Sequence, residues 1–212
     1  MKILIACEES QTITKEYRKL GLRAYSCDIL DCSGGHPEWH IKGDAIKEAY
    51  SGKYDLMVAH PPCTYLAVSG NRWLYNKDGS KNIDRWKNRE LALEFVRKLM
   101  NAPIEKIAIE NPVSCISSQI RKPDQIIQPY MFGDKATKTT CLWLKNLPLL
   151  KPTKIVEKGD FKEWTDKKTG KIKRQATWYY EIFKKAKTPA ERRTLRSKTF
   201  KGIAEAIAKQ WQ

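Results

Sequence analysis

The chain lacks any apolar run approaching the roughly 20 residues that cross a bilayer, so no membrane-spanning helix is expected among its 212 residues. Closely paired cysteine spacing is absent as well. The six cysteines stand at 7, 27, 32, 63, 115 and 141, and Met1-Lys2 leads straight into an apolar strand with no signal peptide. Reduced thiols in a cytoplasmic protein are therefore expected rather than a disulfide framework. There is no internal repeat and no low-complexity linker, which excludes a stacked repeat array. Acidic residues are few: 24 Asp and Glu face 40 Lys and Arg, for a net charge of +16. With 41% hydrophobic residues and seven tryptophans to pack, the chain is long enough to bury a real core.

The positive charge is uneven. Residues 151–212 hold eighteen Lys and Arg against seven Asp and Glu, a surplus of eleven out of the sixteen. Phe161, Trp164, Trp178, Tyr179, Tyr180 and Phe183 are interleaved with these cations. Such a segment suits a polyanion with stackable bases, and DNA is the expected partner. Arg72, Lys173, Arg174, Arg192, Arg193 and Arg196 are the candidate nucleic-acid contacts. A solvated basic surface over a few core aromatics is the alternative.

Periodicity predicts strands alternating with helices. KILIAC at 2–7 reads as a buried strand and Gln11–Leu20 as a helix stopped by Gly21. Arg23–Ile29 follows as a strand and Asp31–Lys42, with Gly34, Gly35 and Pro37, as a loop. Ala45–Tyr50 reads as a helical turn and Leu56–Ala59 as a buried strand. Leu91, Leu93, Phe95, Val96 and Leu99 give Asn82–Asn101 an amphipathic helical face. Lys106–Glu110 is another buried strand, and Gln125–Met131 with Thr139–Leu144 an antiparallel pair at the sheet edge. A hairpin is expected around Asp166–Lys171, a helix from Pro189 to Leu195 and a last helix at Gly202–Trp211. This alternation predicts an α/β fold with a mostly parallel, doubly wound sheet.

Within that order one stretch carries chemistry. In YDLMVAHPPCTYLAVSG (54–70), Pro61 and Pro62 cannot continue a ladder, so Cys63 falls on a stiff turn at a strand's carboxyl end. That edge is where ligands bind in open α/β sheets, and a thiol held there is a candidate nucleophile, although most lone cysteines are inert and buried. Glu110, in IAIENP, lies on the strand expected beside it. Its carboxyl can engage a ring nitrogen while a thiolate attacks the ring carbon, or it can be a cap or surface acid. Glu8, Glu9, Asp28 and Asp44 also lie at or just beyond strand ends, where carboxylates accept hydrogen bonds from an amine, ribose hydroxyls or an adenine amino group. Cys27, Cys32, His36 and His40 have ligand types suited to zinc, but Cys27 lies within a strand and Gly34-Gly35-His36-Pro37 explains itself as a turn. No metal is expected.

The order Asp55-x5-Pro61-Pro62-Cys63-x5-Ser69-Gly70, followed by Ile109-Glu110-Asn111, resembles the DNA cytosine-5 methyltransferases, most closely their small phage-encoded members. LIACEES, SCDI and GDAI fall where that family has its cofactor turn, its ribose acid and its adenine-side Asp, and GIAEAIAKQW resembles its last motif. The resemblance covers about residues 2–145 and 200–211. It implies a Rossmann-like fold, with residues 1–150 holding catalysis and cofactor, 151–199 a basic insertion contacting nucleic acid, and 200–212 a helix returning to the catalytic part.

The family's cofactor is S-adenosyl-L-methionine, and the resemblance places it against Glu8, Glu9, Ser10, Asp28, Ile29, Asp44 and Pro61. Its catalytic group maps to Cys63, Glu110, Pro62, Asn111 and Lys138, with Cys63 adding to cytosine C6. Base flipping is implied, with Val68–Lys81 as a flexible loop. The chain departs from the family where Cys7, Glu9 and Ser10 replace motif glycines and where FGDKATKTT offers Lys135 and Lys138 instead of an arginine pair. Methyltransferases of amino nitrogens place an aromatic residue where Cys63 stands, so the cysteine argues for carbon. A catalytically silent nucleic-acid- or cofactor-binding protein, or a pyrimidine methyltransferase of RNA or free nucleotides, is the alternative.

Overall fold

The computed structural model describes Met1–Gln212 throughout. The apolar runs become strands β1 (Lys2–Ala6), β2 (Arg23–Asp28), β3 (His40–Lys42), β4 (Leu56–Ala59), β5 (Lys106–Pro112), β6 (Gln125–Ile127) and β7 (Thr140–Lys145). They form one sheet in the order β3-β2-β1-β4-β5-β7-β6. The first five run parallel, and β7 runs antiparallel to both β5 and β6. The intervening helices are α1 (Thr12–Lys19), α2 (Ala45–Ala49), α3 (Ile83–Met100) and α4 (Ile116–Gln119). This is a Rossmann-like architecture. Its order reverses at β1, so the carboxyl ends of β1, β2, β4 and β5 border one crevice.

Side chains alternate across the strands, and both faces are therefore apolar. Leu4, Met57, Ile107 and Trp143 point to the side covered by α2 and α3, while Ile3, Ile5, Val58 and Leu142 point to the other. That second face is covered by α1 and by the carboxyl-terminal helix α7 (Lys201–Gln210), preceded in the chain by α5 (Thr177–Lys185) and α6 (Pro189–Ser197). The Tyr17 hydroxyl donates to the Trp211 carbonyl at 2.9 Å, and the buried Trp211 indole donates to the Pro148 carbonyl at 2.9 Å. Burial of a tryptophan on this scale contributes about 3–5 kcal/mol. Gly202 is required where α7 enters, because a Cβ there would lie 1.8 Å from the Phe132 carbonyl oxygen.

Three features depart from the sequence reading and one expectation is met. His40–Lys42, expected within a loop, pairs with β2 as the far edge strand. Leu91, expected on the buried face of α3, is exposed, while Leu93, Val96 and Leu99 are buried. The Asp166–Lys171 turn does join a hairpin, β8 (Phe161–Thr165) with β9 (Ile172–Ala176), forming a separate two-stranded sheet. The aromatic run after it forms helix α5, an element that the sequence reading did not include. No helix is long and apolar enough to cross a membrane.

Candidate active site

β4 ends because Pro61 and Pro62 remove the next amide donors. His60 still donates its backbone amide to the Ala6 carbonyl at 2.9 Å, and then the chain turns out of the sheet. The turn is fixed from the neighbouring strand. The buried Asn111 side chain donates to the Pro61 carbonyl at 2.8 Å, leaving its own Oδ1 buried and without a partner. Cys63 follows with its carbonyl accepting from the amides of Leu66 (3.1 Å) and Ala67 (2.9 Å). The residue is exposed.

Ala59 of β4 pairs with Ile109 of β5, so the next residues, His60 and Glu110, come side by side. His60 Nδ1 hydrogen-bonds Glu110 Oε2 at 2.9 Å, and both side chains are nearly enclosed, at 12% and 15% exposure. Burial favours a neutral Glu110 carboxyl, but the hydrogen bond and charge of His60, with Lys138 beyond, hold it below its ordinary carboxylate range. At Cys63, desolvation and then the Glu110 charge push the thiol up, against the positive charges of Arg196 and Lys138. Cys63 and Glu110 thus share one electrostatic neighbourhood.

Two residues of this neighbourhood were absent from the catalytic set read from the sequence. The sequence reading gives His60 no role. The signal that finds it is strand register, since it occupies the position opposite Glu110 once β4 and β5 are paired. Arg196, expected on a nucleic-acid surface, lies on α6 close enough for its charge to act on the Cys63 thiol. Lys138 explains its arrival: its ammonium donates to the carbonyls of Arg196 (3.1 Å) and Lys198 (3.4 Å). The late motif that lacks arginines therefore holds a lysine that tethers a segment bearing one.

The stretch after the nucleophile, expected as a flexible loop, is braced by α3. Arg85 donates to the Thr64 carbonyl at 2.7 Å, and the buried Arg89 donates to the Tyr65 carbonyl at 3.0 Å and to Asn71 Oδ1 at 2.6 Å. Val68–Leu74 forms a short helical turn in which Arg72 stacks on the exposed Trp73, 4.5 Å from the ring centre.

At the β1 end, the structure separates acids that the sequence left equivalent. Glu8 is buried and faces helix α1, accepting from the Ile13 amide (2.7 Å), the Thr14 amide (3.3 Å) and the Thr14 hydroxyl (2.7 Å). Its carboxylate is taken up at the start of α1, so the cofactor role that the resemblance implies for it finds no free oxygen. Ser10 is likewise buried, its hydroxyl 3.1 Å from that of Thr12. Cys7 adopts φ 60°, a conformation a glycine takes without cost.

Glu9 is only partly buried, and its carboxylate has a single long 3.5 Å contact to the Ser33 hydroxyl. Asp28 uses one oxygen on the Leu30 amide (2.9 Å), and Asp44 uses one on the Ile46 amide (2.8 Å) as the cap of α2. The remaining oxygen of each accepts no hydrogen bond. Between them Ile29 stands 75% exposed at the end of β2. Asp28 and Asp44 thus keep free carboxylate oxygens and Ile29 an uncovered apolar side chain, acceptors and surface of the kind an aminoacyl nucleoside could use.

The four residues weighed for zinc are engaged elsewhere. Cys27 contacts the Gly43 carbonyl, Cys32 contacts Gln11 Oε1 at 3.2 Å, His36 stacks on Trp39, and His40 bonds Ser26 and the Leu30 carbonyl. In the basic segment, Arg174 stacks on Phe161 (3.9 Å), Arg192 on Phe183 (3.8 Å) and Arg196 on Tyr179 (4.5 Å). Lys173 pairs with Asp166, and Arg193 is exposed without an acidic partner. Trp178 donates to the Thr137 carbonyl at 2.8 Å and packs on Phe200. These aromatics hold the segment together, and only Trp164 stands well exposed without a ring or cation against it.

Comparison with known proteins gives little beyond the fold. No protein-family model matches the chain, and no curated protein matches it. Among solved structures it is similar to an E. coli prophage-encoded protein described as a "putative DNA modification methyltransferase", at 12% identity and a TM-score of 0.46. The match covers 86% of this chain and 63% of that one, so the chain spans less than two thirds of that protein's length. The strand order and the crevice define the fold class on their own: an open, mostly parallel, Rossmann-like α/β sheet.

Proposed function

We propose that the protein is an S-adenosyl-L-methionine-dependent DNA methyltransferase that modifies cytosine at C5 through a covalent Cys63 adduct. The reading is supported above all by the placement of Cys63 and Glu110 on adjoining strand ends, close enough for the carboxylate's charge to act on the thiol. Cytosine C5 is a poor nucleophile until a group adds at C6. In this reading the Cys63 thiolate forms a bond to C6, and N3 takes up a proton on the Glu110 side as the ring becomes an enamine. C5 then accepts the methyl group and gives up its hydrogen to a base. The C5–C6 double bond re-forms and expels the thiolate, and N3 gives its proton back on the Glu110 side.

S-adenosyl-L-methionine supplies the electrophilic methyl group when bound, and Glu9, Asp28, Ile29, Asp44 and Pro61 would hold it. Pro62 and Asn111 fix the turn that carries the thiol. Arg196 and Lys138 place positive charge beside a nucleophile that must ionise, opposing the desolvation that works against it. Surplus positive charge in the β8–β9, α5 and α6 segment, together with Arg72, suits a DNA backbone.

The experiment is a labelled-methyl assay with Cys63→Ala beside the wild type on duplex DNA, single-stranded DNA, RNA and free cytidine nucleotides. Transfer to DNA by the wild type and none by the variant is expected, with the variant still binding the cofactor. Undiminished transfer by Cys63→Ala would overturn the mechanism.

A further inference from the structure

The chemistry just described leaves a proton unaccounted for. Neutral cytosine presents N3 as an acceptor, so attack at C6 needs a donor there. Glu110 faces the thiol, yet its partner His60 holds it in the ionised, acceptor-only form. A lone carboxylate in this state cannot supply the proton.

Resting on the cytosine-C5 reading, we infer that His60 is a positioning and proton-supplying residue, delivering a proton to the substrate ring nitrogen through Glu110. The geometry favours this role over a merely structural ion pair. The pair sits at the end of two central strands, in the crevice, where neither strand needs it for pairing. His60 Nε2 is buried with no hydrogen-bond partner, so the ring's only hydrogen bond is the one to Glu110. That arrangement leaves one path for its proton.

The groups that face the pair set its charge from every side. Glu8, buried after β1, interacts with His60 electrostatically. Lys138, before β7, acts on Glu110, and the buried Cys141 thiol of β7 feels the Glu110 charge. Cys63 feels it from the pair's own turn. As the Cys63–C6 bond forms, the ring's electron pair moves to N3, which takes a proton from Glu110, while the His60 Nδ1 proton passes to Glu110. The balance closes with His60 as an imidazolium: a thiolate, a neutral pyrimidine and an imidazolium–carboxylate pair become a neutral adduct and a neutral imidazole beside a carboxylate, the ring keeping its Nε2 hydrogen.

The test uses full-length protein, DNA carrying 5-fluorocytosine at the target base, and S-adenosyl-L-methionine. Fluorine at C5 cannot leave as a proton does, so the enzyme stays attached. Wild type and His60→Asn are compared for the rate of covalent complex formation against pH. The expected result is a loss of about 100-fold in His60→Asn, with the wild-type alkaline limb flattened. Glu110→Gln and the double variant should then react at equal rates, because the two residues act as one unit. In parallel, imidazole nitrogen NMR, with only three histidines to assign, should show the His60 ring losing its proton when the complex forms. A wild-type complex with His60→Asn reacting within twofold and keeping the same limb, or a His60 ring that keeps its proton in the complex, overturns this inference alone. A wild type that forms no complex removes the cytosine-C5 reading beneath it.

Discussion

Two buried glutamates, each just beyond a central strand's apolar core, are put to opposite uses. Glu110 is held below its ordinary carboxylate range by a histidine and stands beside a thiol in the crevice. Glu8 is pushed above its ordinary value of 4.5, since burial outweighs the charge of His60 and the amides of α1. The difference is the partner. An imidazole alongside stabilises charge that stays available to the crevice, whereas backbone amides consume both oxygens in capping a helix. The same residue type at the ends of two central strands is therefore left facing the crevice on β5 and is spent on architecture after β1.

The largest effect should come from the β5 side. Glu110→Gln keeps the shape but removes the carboxylate, and methyl transfer should fall about 100-fold or more in single-turnover assays. Stability at neutral pH should fall by less, losing only the contribution that the ionised carboxyl makes beside His60. Glu8→Gln is expected to do the reverse: transfer per folded molecule persists, while stability in urea falls by about 1–3 kcal/mol as the cap hydrogen bonds weaken.

The pH dependence of stability sharpens the contrast. The native pKa of Glu110 is lowered, so its contribution is present above the ordinary carboxylate pKa and lost as pH falls through the native value. That of Glu8 is raised, so its contribution is fully present below its unfolded pKa of about 4.5 and is lost as pH rises toward the native value. Denaturation midpoints measured across acidic pH should lose the first trend in Glu110→Gln and the second in Glu8→Gln. The smallest effect is at Cys7. Replacing it with glycine, which adopts φ 60° freely, should raise stability by about 0.5–1 kcal/mol in the same urea measurement.

Much of the sheet was legible because its strands are short apolar runs bounded by glycine and proline. The turn at Pro61-Pro62-Cys63 and the Glu110-Asn111 strand end were legible because prolines mark where a strand must stop. What was not legible depended on distance in the chain. Glu8 and Glu9 cannot be told apart until α1 is in place to claim one of them. The pairing of His60 with Glu110 spans 50 residues, and the Lys138 contact that brings in Arg196 spans 58. The aromatic run of the basic segment misled for a related reason. Rings between cations suit nucleobases and also suit the segment's own arginines, and the fold uses them mainly for the latter.

The account rests on one sulfur. Incubating the wild-type protein with 5-fluorocytosine DNA and S-adenosyl-L-methionine, then digesting and mapping the adduct by mass spectrometry, tests it directly. The predicted result is a DNA-linked peptide carrying the modification at Cys63. Active methyl transfer without any such linkage, or a linkage at another cysteine, would contradict it.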